Sequence, residues 1–226
     1  MATLLLGSYL IVLLRVHPRT RQVTPIMRFW ARLFLLVTGT RVEIEGLEKL
    51  DPAASYIFSG NHISNIDIPV MIGRLPVSVR FLAKAELFRV PVLGGAMRAI
   101  HMVETDREAG PMAHREINQQ IGRVVAEGLS LVIYPEGTRS KDAEMMPFKK
   151  GAFRIAIDNA MPMVPVTISG SERVWKPAEK LIFGGSVRLV IHDPIPTADL
   201  AIADIPALRD RLRSAVEKTY EEIRVR

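Results

Sequence analysis

The sequence predicts an α/β fold, in which a mixed, largely parallel β-sheet is covered by helices. Three observations lead to this prediction. From residue 41 onward, short strand-like runs alternate with longer segments whose apolar residues recur at helical spacing. Several of the strand-like runs end in glycine, as strands that enter a turn often do. No internal repeat or low-complexity segment interrupts the alternation. Such an alternation is typical of a sheet covered by helices.

The first 40 residues differ from the rest and predict a two-helix element. Residues 2–14 are almost wholly apolar, but the run is shorter than the roughly 20 residues of a transmembrane helix. Residues 25–39 predict a second helix, with Arg28 and Arg32 four residues apart on one face. Because the apolar faces are wide and arginines surround them, we expect the element to lie in a membrane interface. Two ordinary core helices, or a short span by residues 2–14, are the alternatives.

Residues 41–226 predict one α/β domain, whose elements follow in order. The last predicted helix has Leu208, Leu212 and Val216 at helical spacing. The sixth predicted strand contains Pro165, which favours an edge strand or a bulge because proline has no N–H to donate. Strands are predicted at 41–46, 55–60, 78–84, 100–105, 129–134, 162–170 and 186–195, and helices at 111–128, 147–160 and 207–226.

Composition limits the classes of function. The 226 residues, 48% of them hydrophobic, suffice for the core of one domain with a small appendage. The absence of cysteine excludes a disulfide framework, a thiolate metal site and a cysteine nucleophile. The net charge of +6 favours an anionic partner, such as a phosphorylated substrate or an anionic lipid. No nucleic-acid partner is expected, because aromatic residues make up only 6% of the chain and no basic run is interleaved with them.

The stretch SGNHISNIDIPV, residues 59–70, places His62 five residues before Asp67. Five residues of α-helix turn through about 500°, which would leave the two side chains about 140° apart. The pair can therefore meet only if His62 precedes a helix and Asp67 lies in its first turns, with Ser64 and Asn65 as plausible caps. An imidazole held by a carboxylate through one nitrogen offers the other nitrogen as a general base. A purely structural pair is the alternative.

Neither a protein nucleophile nor a metal site accompanies this pair in the sequence. Ser64 lies in the same short loop as its supposed base, and no G-x-S-x-G elbow surrounds it. A catalytic zinc needs about three protein ligands, whereas His101, His114 and His192 are scattered without paired spacing. A base without a protein nucleophile indicates that the substrate supplies the nucleophile, such as a hydroxyl group.

A second candidate site follows the strand that ends at Tyr134, in the stretch VIYPEGTRSKD. Gly137 allows a ligand to approach the backbone closely. Arg139 offers a planar guanidinium that fits a phosphate. An ordinary turn with a surface arginine is the alternative.

Two other stretches carry cations. Lys84 and Arg107 lie in the segment that runs from FLAK to TDR. Lys149 and Lys150 open a predicted helix, where a bound anion would offset their opposition to the helix dipole. A solvated lysine pair is the alternative.

In series, NHISNID, AKAELF through TDR, YPEGTRS and VPVTI resemble the four sequence blocks of the glycerophospholipid acyltransferase family. The likeness is strongest to bacterial members that acylate 1-acyl-sn-glycerol-3-phosphate, and it covers about residues 55–170. This chain differs from many relatives at two places. The segment that ends at Arg107 reads ETDR, where many relatives have a large apolar residue followed by IDR. Tyr134 stands where phenylalanine is common.

The resemblance implies transfer of a fatty acyl group from acyl-CoA or acyl carrier protein to the free sn-2 hydroxyl of 1-acyl-sn-glycerol-3-phosphate. The product would be phosphatidic acid, formed without a cofactor, a metal or a covalent intermediate, at the cytoplasmic face of the inner membrane. Other lysolipid acceptors, such as a lyso-ornithine lipid, are one alternative. A non-enzymatic lipid-binding module and a thioesterase are the others.

The resemblance also assigns roles to residues. His62 would be the general base, oriented by Asp67. The VPVTI block around Pro165 would serve acyl-donor binding or acyl selection. Lys84 and Lys150 are further candidates for a supporting role in the site. The acceptor's phosphate would be held by Arg107, Glu136, Gly137, Thr138 and Arg139.

Overall fold

The computed structural model describes residues 23–105, 111–140, 142–177, 179 and 181–224. Arg107 and the predicted helix at 2–14 lie outside these residues. The strands are β1 (Thr40–Glu45), β2 (Ile57–Gly60), β3 (Val79–Lys84), β4 (Val103–Thr105), β5 (Ser130–Val132), β6 (Met163–Ser169) and β7 (Gly185–Ile191). The helices are α1 (Val23–Val37), α2 (Asp67–Arg74), α3 (Ala85–Phe88), α4 (Leu93–Ala99), α5 (Pro111–Ala126), α6 (Gly151–Asp158), α7 (Ser171–Val174) and α8 (Ile205–Ile223).

The strands form one sheet in the order β1-β7-β6-β2-β5-β3-β4. Every neighbouring pair is parallel except β6 and β7, which are antiparallel. The predicted mixed, largely parallel sheet is therefore confirmed. Since β2 has a parallel neighbour on each side, its carboxyl end meets the carboxyl ends of β5 and β6 at one edge of the sheet.

Helices cover both faces of the sheet. Successive side chains of β2 point to opposite faces, so Phe58 packs beneath α1 and α2 while Ile57 packs against α5, α6 and α8. Both side chains are fully buried. A strand that is apolar on both faces is expected at the centre of a doubly covered sheet.

The carboxyl end of β2 is fixed tightly against β6. At Gly60, an added Cβ would lie 1.8 Å from the carbonyl oxygen of Val166, so the two backbones approach as only glycine allows. The next residue, Asn61, donates from its side chain to the carbonyl of Ile168 (2.7 Å) and accepts from the amide of Ile168 (2.9 Å). The turn that follows β2 therefore starts from a fixed position.

The prediction of an edge strand at Pro165 is wrong, whereas the alternative of a bulge is confirmed: beside Pro165 the antiparallel register shifts by one residue, from Met163 opposite Ile195 to Val166 opposite Ile191. Strand β6 lies inside the sheet, between β7 and β2. Proline is tolerated at this position because the N–H and C=O of one strand residue point toward the same neighbouring strand. The carbonyl of Pro165 accepts from His192 (3.0 Å), so its missing N–H faces the β7 side, where the register shift interrupts the ladder. The ladder between β6 and β2 therefore loses no hydrogen bond.

The second predicted N-terminal helix is α1, which packs on α2. Arg28 and Arg32 share one face of α1, as predicted, but this face is turned toward the end of α2. Arg32 donates to the carbonyl of Gly73 (3.1 Å). Cations at the carboxyl end of a helix complement its dipole. Arg28 donates to the carbonyls of Leu75 (3.1 Å), Pro76 (2.7 Å) and Val77 (3.0 Å).

Some element boundaries differ from the sequence prediction. Helix α6 begins at Gly151, four residues later than predicted, and the short helices α3, α4 and α7 were not predicted. Each of these three has at most seven residues, too few for helical periodicity to be visible. In the described part of the chain, no helix combines the length and the apolar character needed to cross a membrane.

Candidate active site

The turn between β2 and α2 brings His62 and Asp67 together. Asp67 is the first residue of α2 and His62 precedes the helix, as the five-residue spacing requires. The Nδ1 of His62 lies 2.7 Å from Oδ2 of Asp67. Asp67 is fully buried and His62 is 8% exposed. The site thus lies at the carboxyl edge of the central strand, where α/β proteins commonly form sites.

The carboxylate of Asp67 also organises the backbone of the turn. Its Oδ2 accepts the amide N–H groups of Ile63 (3.1 Å) and Ser64 (2.9 Å). A negative charge is further favoured at the first residue of a helix. Because an ionised Asp67 can only accept, Nδ1 of His62 must donate, and in the neutral imidazole Nε2 then carries the lone pair. Within the described part of the chain, Nε2 has no hydrogen-bond partner.

The ring of Tyr134 stacks on the imidazole. The ring centroids are 3.8 Å apart and the planes differ by 7°. The hydroxyl of Tyr134 is buried and unpartnered among the described residues. Burial raises the pKa of Tyr134 well above its ordinary value, so the side chain stays a neutral phenol. The sequence drew attention to Tyr134 as a departure from relatives, but it gave no sign of this contact.

The stretch after Tyr134 closes over the backbone of His62. The Oε1 of Glu136 accepts the amide N–H of His62 (3.1 Å), and the amide of Ser140 donates to the His62 carbonyl (2.9 Å). Glu136 is 2% exposed, and its Oε2 is buried without a hydrogen-bond partner among the described residues. Gly137 is buried and has a φ of 81°, which glycine adopts without strain.

Arg139 extends from the segment after Tyr134 to the turn between β2 and α2. Its Nη1 donates to the side-chain oxygen of Asn65, which lies between His62 and Asp67 in the sequence. Arg139 and Thr138 are both exposed. The guanidinium therefore lies at the mouth of the site, with N–H donors left for a ligand.

The other predicted site residues lie further out. Lys84 is exposed at the carboxyl end of β3, and Pro165 pairs in register with Ser59 at the end of β2. Lys150 is exposed just before α6, where it lines a cavity of about 490 Å³ together with Arg154. Neither lysine contacts the His62–Asp67 pair in the part of the chain that the structure describes.

Ser64 has a role that the sequence did not indicate. Its hydroxyl donates to the carbonyl of Trp175 (2.5 Å) and accepts from the amide of Ile66 (3.1 Å). It therefore braces the turn rather than capping α2, and it is occupied by backbone partners. Since 111 residues separate Ser64 from Trp175, no local pattern could have revealed this contact.

Comparison with known proteins points to one family. The family model described as Acyltransferase matches residues 41–169, more than half of the chain. The chain is 32% identical over 214 residues to human 1-acyl-sn-glycerol-3-phosphate acyltransferase beta, covering 95% of this chain and 77% of that protein. It is 28% identical over 208 residues to the human alpha protein, covering 92% and 74%.

A solved structure shares the fold over nearly the whole chain. The crystal structure of the 1-acyl-sn-glycerophosphate (LPA) acyltransferase PlsC from Thermotoga maritima matches with a TM-score of 0.78 and 26% sequence identity. The match covers 99% of this chain and 96% of that one.

Burial of Glu136 makes the stability of the protein depend on pH. Burial raises the pKa of Glu136 from 4.5 to about 7. Between these values the folded state holds a proton that the unfolded state has released, so stability falls as pH rises through this window, by up to about 3 kcal/mol. Glu136→Gln lacks this titration. We expect its stability relative to wild type to increase between pH 5 and pH 8, as measured by urea unfolding.

The matched control is Glu144→Gln, because the Glu144 side chain is 64% exposed. Its stability difference from wild type should be the same at both pH values. An equal difference for Glu136→Gln at pH 5 and pH 8 would show that the raised pKa is absent.

Proposed function

This chain belongs to the acyltransferase family and is an O-acyltransferase, and from that premise we propose that it converts 1-acyl-sn-glycerol-3-phosphate into phosphatidic acid. The acyl group comes from a thioester donor, acyl-CoA or acyl carrier protein, which is a co-substrate rather than a cofactor. One observation carries the proposal: a buried Asp67 holds Nδ1 of His62 at 2.7 Å, while Nε2 has no partner among the described residues. The names of the human relatives and of the matched bacterial structure support the acceptor.

The proposed reaction starts with proton transfer to His62. Nε2 takes the proton of the sn-2 hydroxyl as its oxygen attacks the thioester carbonyl, and a C–O bond forms. The carboxylate of Asp67 stabilises the imidazolium that results. The tetrahedral intermediate then breaks its C–S bond. The imidazolium returns the proton to the departing sulfur, and the products are the ester and a thiol.

Direct transfer to the acceptor agrees with the surroundings of the pair. Ser64 is the hydroxyl nearest to it in sequence, but Trp175 and Ile66 occupy that hydroxyl. The chain has no cysteine. An acyl-enzyme intermediate therefore has no evident carrier among the described residues of the turn. The acceptor's own hydroxyl fills that role.

The acceptor's phosphate is best placed against Arg139. Its exposed guanidinium is held by Asn65 directly above the His62–Asp67 turn. A phosphate there would receive charge-assisted hydrogen bonds while the glycerol hydroxyl reaches the base. Arg107 is proposed as a second phosphate ligand.

A membrane-facing surface supports a lipid acceptor. Helix α1 exposes an apolar row on the side away from α2. Phe29 is 65% exposed, Leu36 75% and Val37 77%. Contiguous apolar surface of this kind marks an interaction site rather than an ordinary soluble surface. We propose that this row enters the membrane interface.

The surface continues onto the loop after α7. Gly184 lies against Gly39, the second residue after α1, and so places the exposed Phe183 beside the end of α1. In the same loop Trp175 stacks on Phe34 of α1, with ring centroids 5.9 Å apart. Because the carbonyl of Trp175 accepts from Ser64, the apolar surface adjoins the turn between β2 and α2 that carries His62. A lysolipid held in the interface would thus have a short path to His62.

The proposed function is tested by an acyl-transfer assay in detergent micelles. The assay offers one long-chain acyl-CoA and one acyl carrier protein to a panel of lysolipids. We expect phosphatidic acid from 1-acyl-sn-glycerol-3-phosphate. His62→Ala should reduce the rate by about 10²–10⁴-fold, the contribution typical of a positioned base.

Two results would contradict the proposal. Transfer only to another lysolipid would make the acceptor wrong. A folded His62→Ala protein that keeps more than about a tenth of the wild-type rate would make the base wrong.

The membrane surface is tested by vesicle binding. The variant Leu36→Ser/Phe183→Ser replaces two exposed apolar side chains and should weaken binding to vesicles of phosphatidylethanolamine and phosphatidylglycerol by about tenfold or more in co-sedimentation. Ile202→Ser is the matched control, because Ile202 is 46% exposed elsewhere on the molecule. Equal binding by both variants would show that the α1 surface does not contact lipid.

A further inference from the structure

We propose that Glu136 is a positioning residue that fixes the backbone of the general base, and that it does not bind the acceptor's phosphate. The inference rests on the proposed function, and it replaces the role that sequence resemblance implies for this residue.

The surroundings of Glu136 are those of a structural acceptor. Its Oε1 accepts the amide N–H of His62 at 3.1 Å. The residue is 2% exposed, and Oε2 is buried as well. The carboxyl therefore faces inward, away from the mouth of the site where Arg139 is exposed. When ionised, this carboxylate has no hydrogen to donate to a phosphate and would repel it.

The peptide group of His62 is held from both sides by one turn. Glu136 binds its N–H, and the amide of Ser140 binds its C=O at 2.9 Å. The side chain is held separately, by Asp67 at Nδ1 and by Tyr134 on the face of the ring. Backbone position and ring orientation are thus fixed by different partners. Loss of the Glu136 acceptor would leave a buried N–H unpaired, and the imidazole would be free to shift.

Two conservative substitutions distinguish the effect of the position of the side-chain oxygen from the effect of its charge. Glu136→Gln keeps an acceptor oxygen in place and removes the charge. Glu136→Asp keeps the charge and withdraws the oxygens by one methylene group. Since a misplacement of about 1 Å can cost about 10²-fold in rate, we expect Glu136→Asp to lower kcat by about ten- to a hundredfold. Glu136→Gln should stay within about threefold of wild type.

The Michaelis constant for the acceptor distinguishes positioning from phosphate binding. Both Glu136 variants should keep the acceptor KM within about twofold of wild type, whereas Arg139→Ala should raise it by about tenfold. Glu144→Gln is the matched control, exposed on the same segment, and should change neither constant by more than about twofold. Near-wild-type kcat for Glu136→Asp with a loss for Glu136→Gln would overturn the inference. A tenfold change of acceptor KM in either Glu136 variant would do the same.

A second measurement of the contact between Glu136 and His62 does not depend on enzymatic activity. Hydrogen exchange of the His62 amide, followed by NMR on the substrate-free protein, should be about tenfold faster in Glu136→Asp and near wild type in Glu136→Gln. An unchanged exchange rate in Glu136→Asp would also overturn the inference. If wild-type protein transferred no acyl group but showed this exchange pattern, the proposed function would fail while the positioning contact stood.

Discussion

The buried carboxylate of Asp67 is the constraint around which the site is built. One oxygen, Oδ2, receives the Nδ1 proton of His62 and two backbone amides of the same turn. A charge without access to water requires such partners, and the start of α2 adds a favourable dipole. The turn can hardly change shape without leaving this charge unpaired. The hydrogen bonds that the buried carboxylate requires therefore fix the position of the imidazole.

The sheet supplies the second constraint, which is a fixed starting point for the turn. Gly60 lets β2 approach β6 more closely than any other residue would, and Asn61 bonds both polar backbone groups of Ile168. Because β5 is parallel to β2, its carboxyl end delivers Glu136 and Arg139 to the same edge. One turn thus carries both an inward-facing carboxyl, which holds the base, and an outward-facing guanidinium. Glu136 and Arg139, which are opposite in charge and three residues apart, thus face different sides of one loop.

Much of this arrangement could be predicted from the sequence, because it depends on local rules. Helical rotation alone required His62 to precede α2 and Asp67 to begin it. The direction of a side chain in the finished fold could not be predicted. Glu136 stands beside Arg139 in a stretch typical of phosphate binding, yet burial turns it toward the backbone of His62. The interior position of the strand that carries Pro165 could not be predicted, because its neighbours, β7 and β2, are distant in sequence. Arg28 was expected at a membrane, whereas its partners are carbonyls 47 to 49 residues away.

The central claim is that His62 and Asp67 act as one unit, and a kinetic double-mutant cycle tests it most directly. His62→Ala, Asp67→Asn and the double variant are compared by kcat for acyl transfer to 1-acyl-sn-glycerol-3-phosphate, with folding checked by circular dichroism. If Asp67 acts through His62, the double variant is no slower than His62→Ala alone, since the carboxylate has nothing left to orient. If the two losses multiply, the residues work independently, and the 2.7 Å contact is not the basis of catalysis.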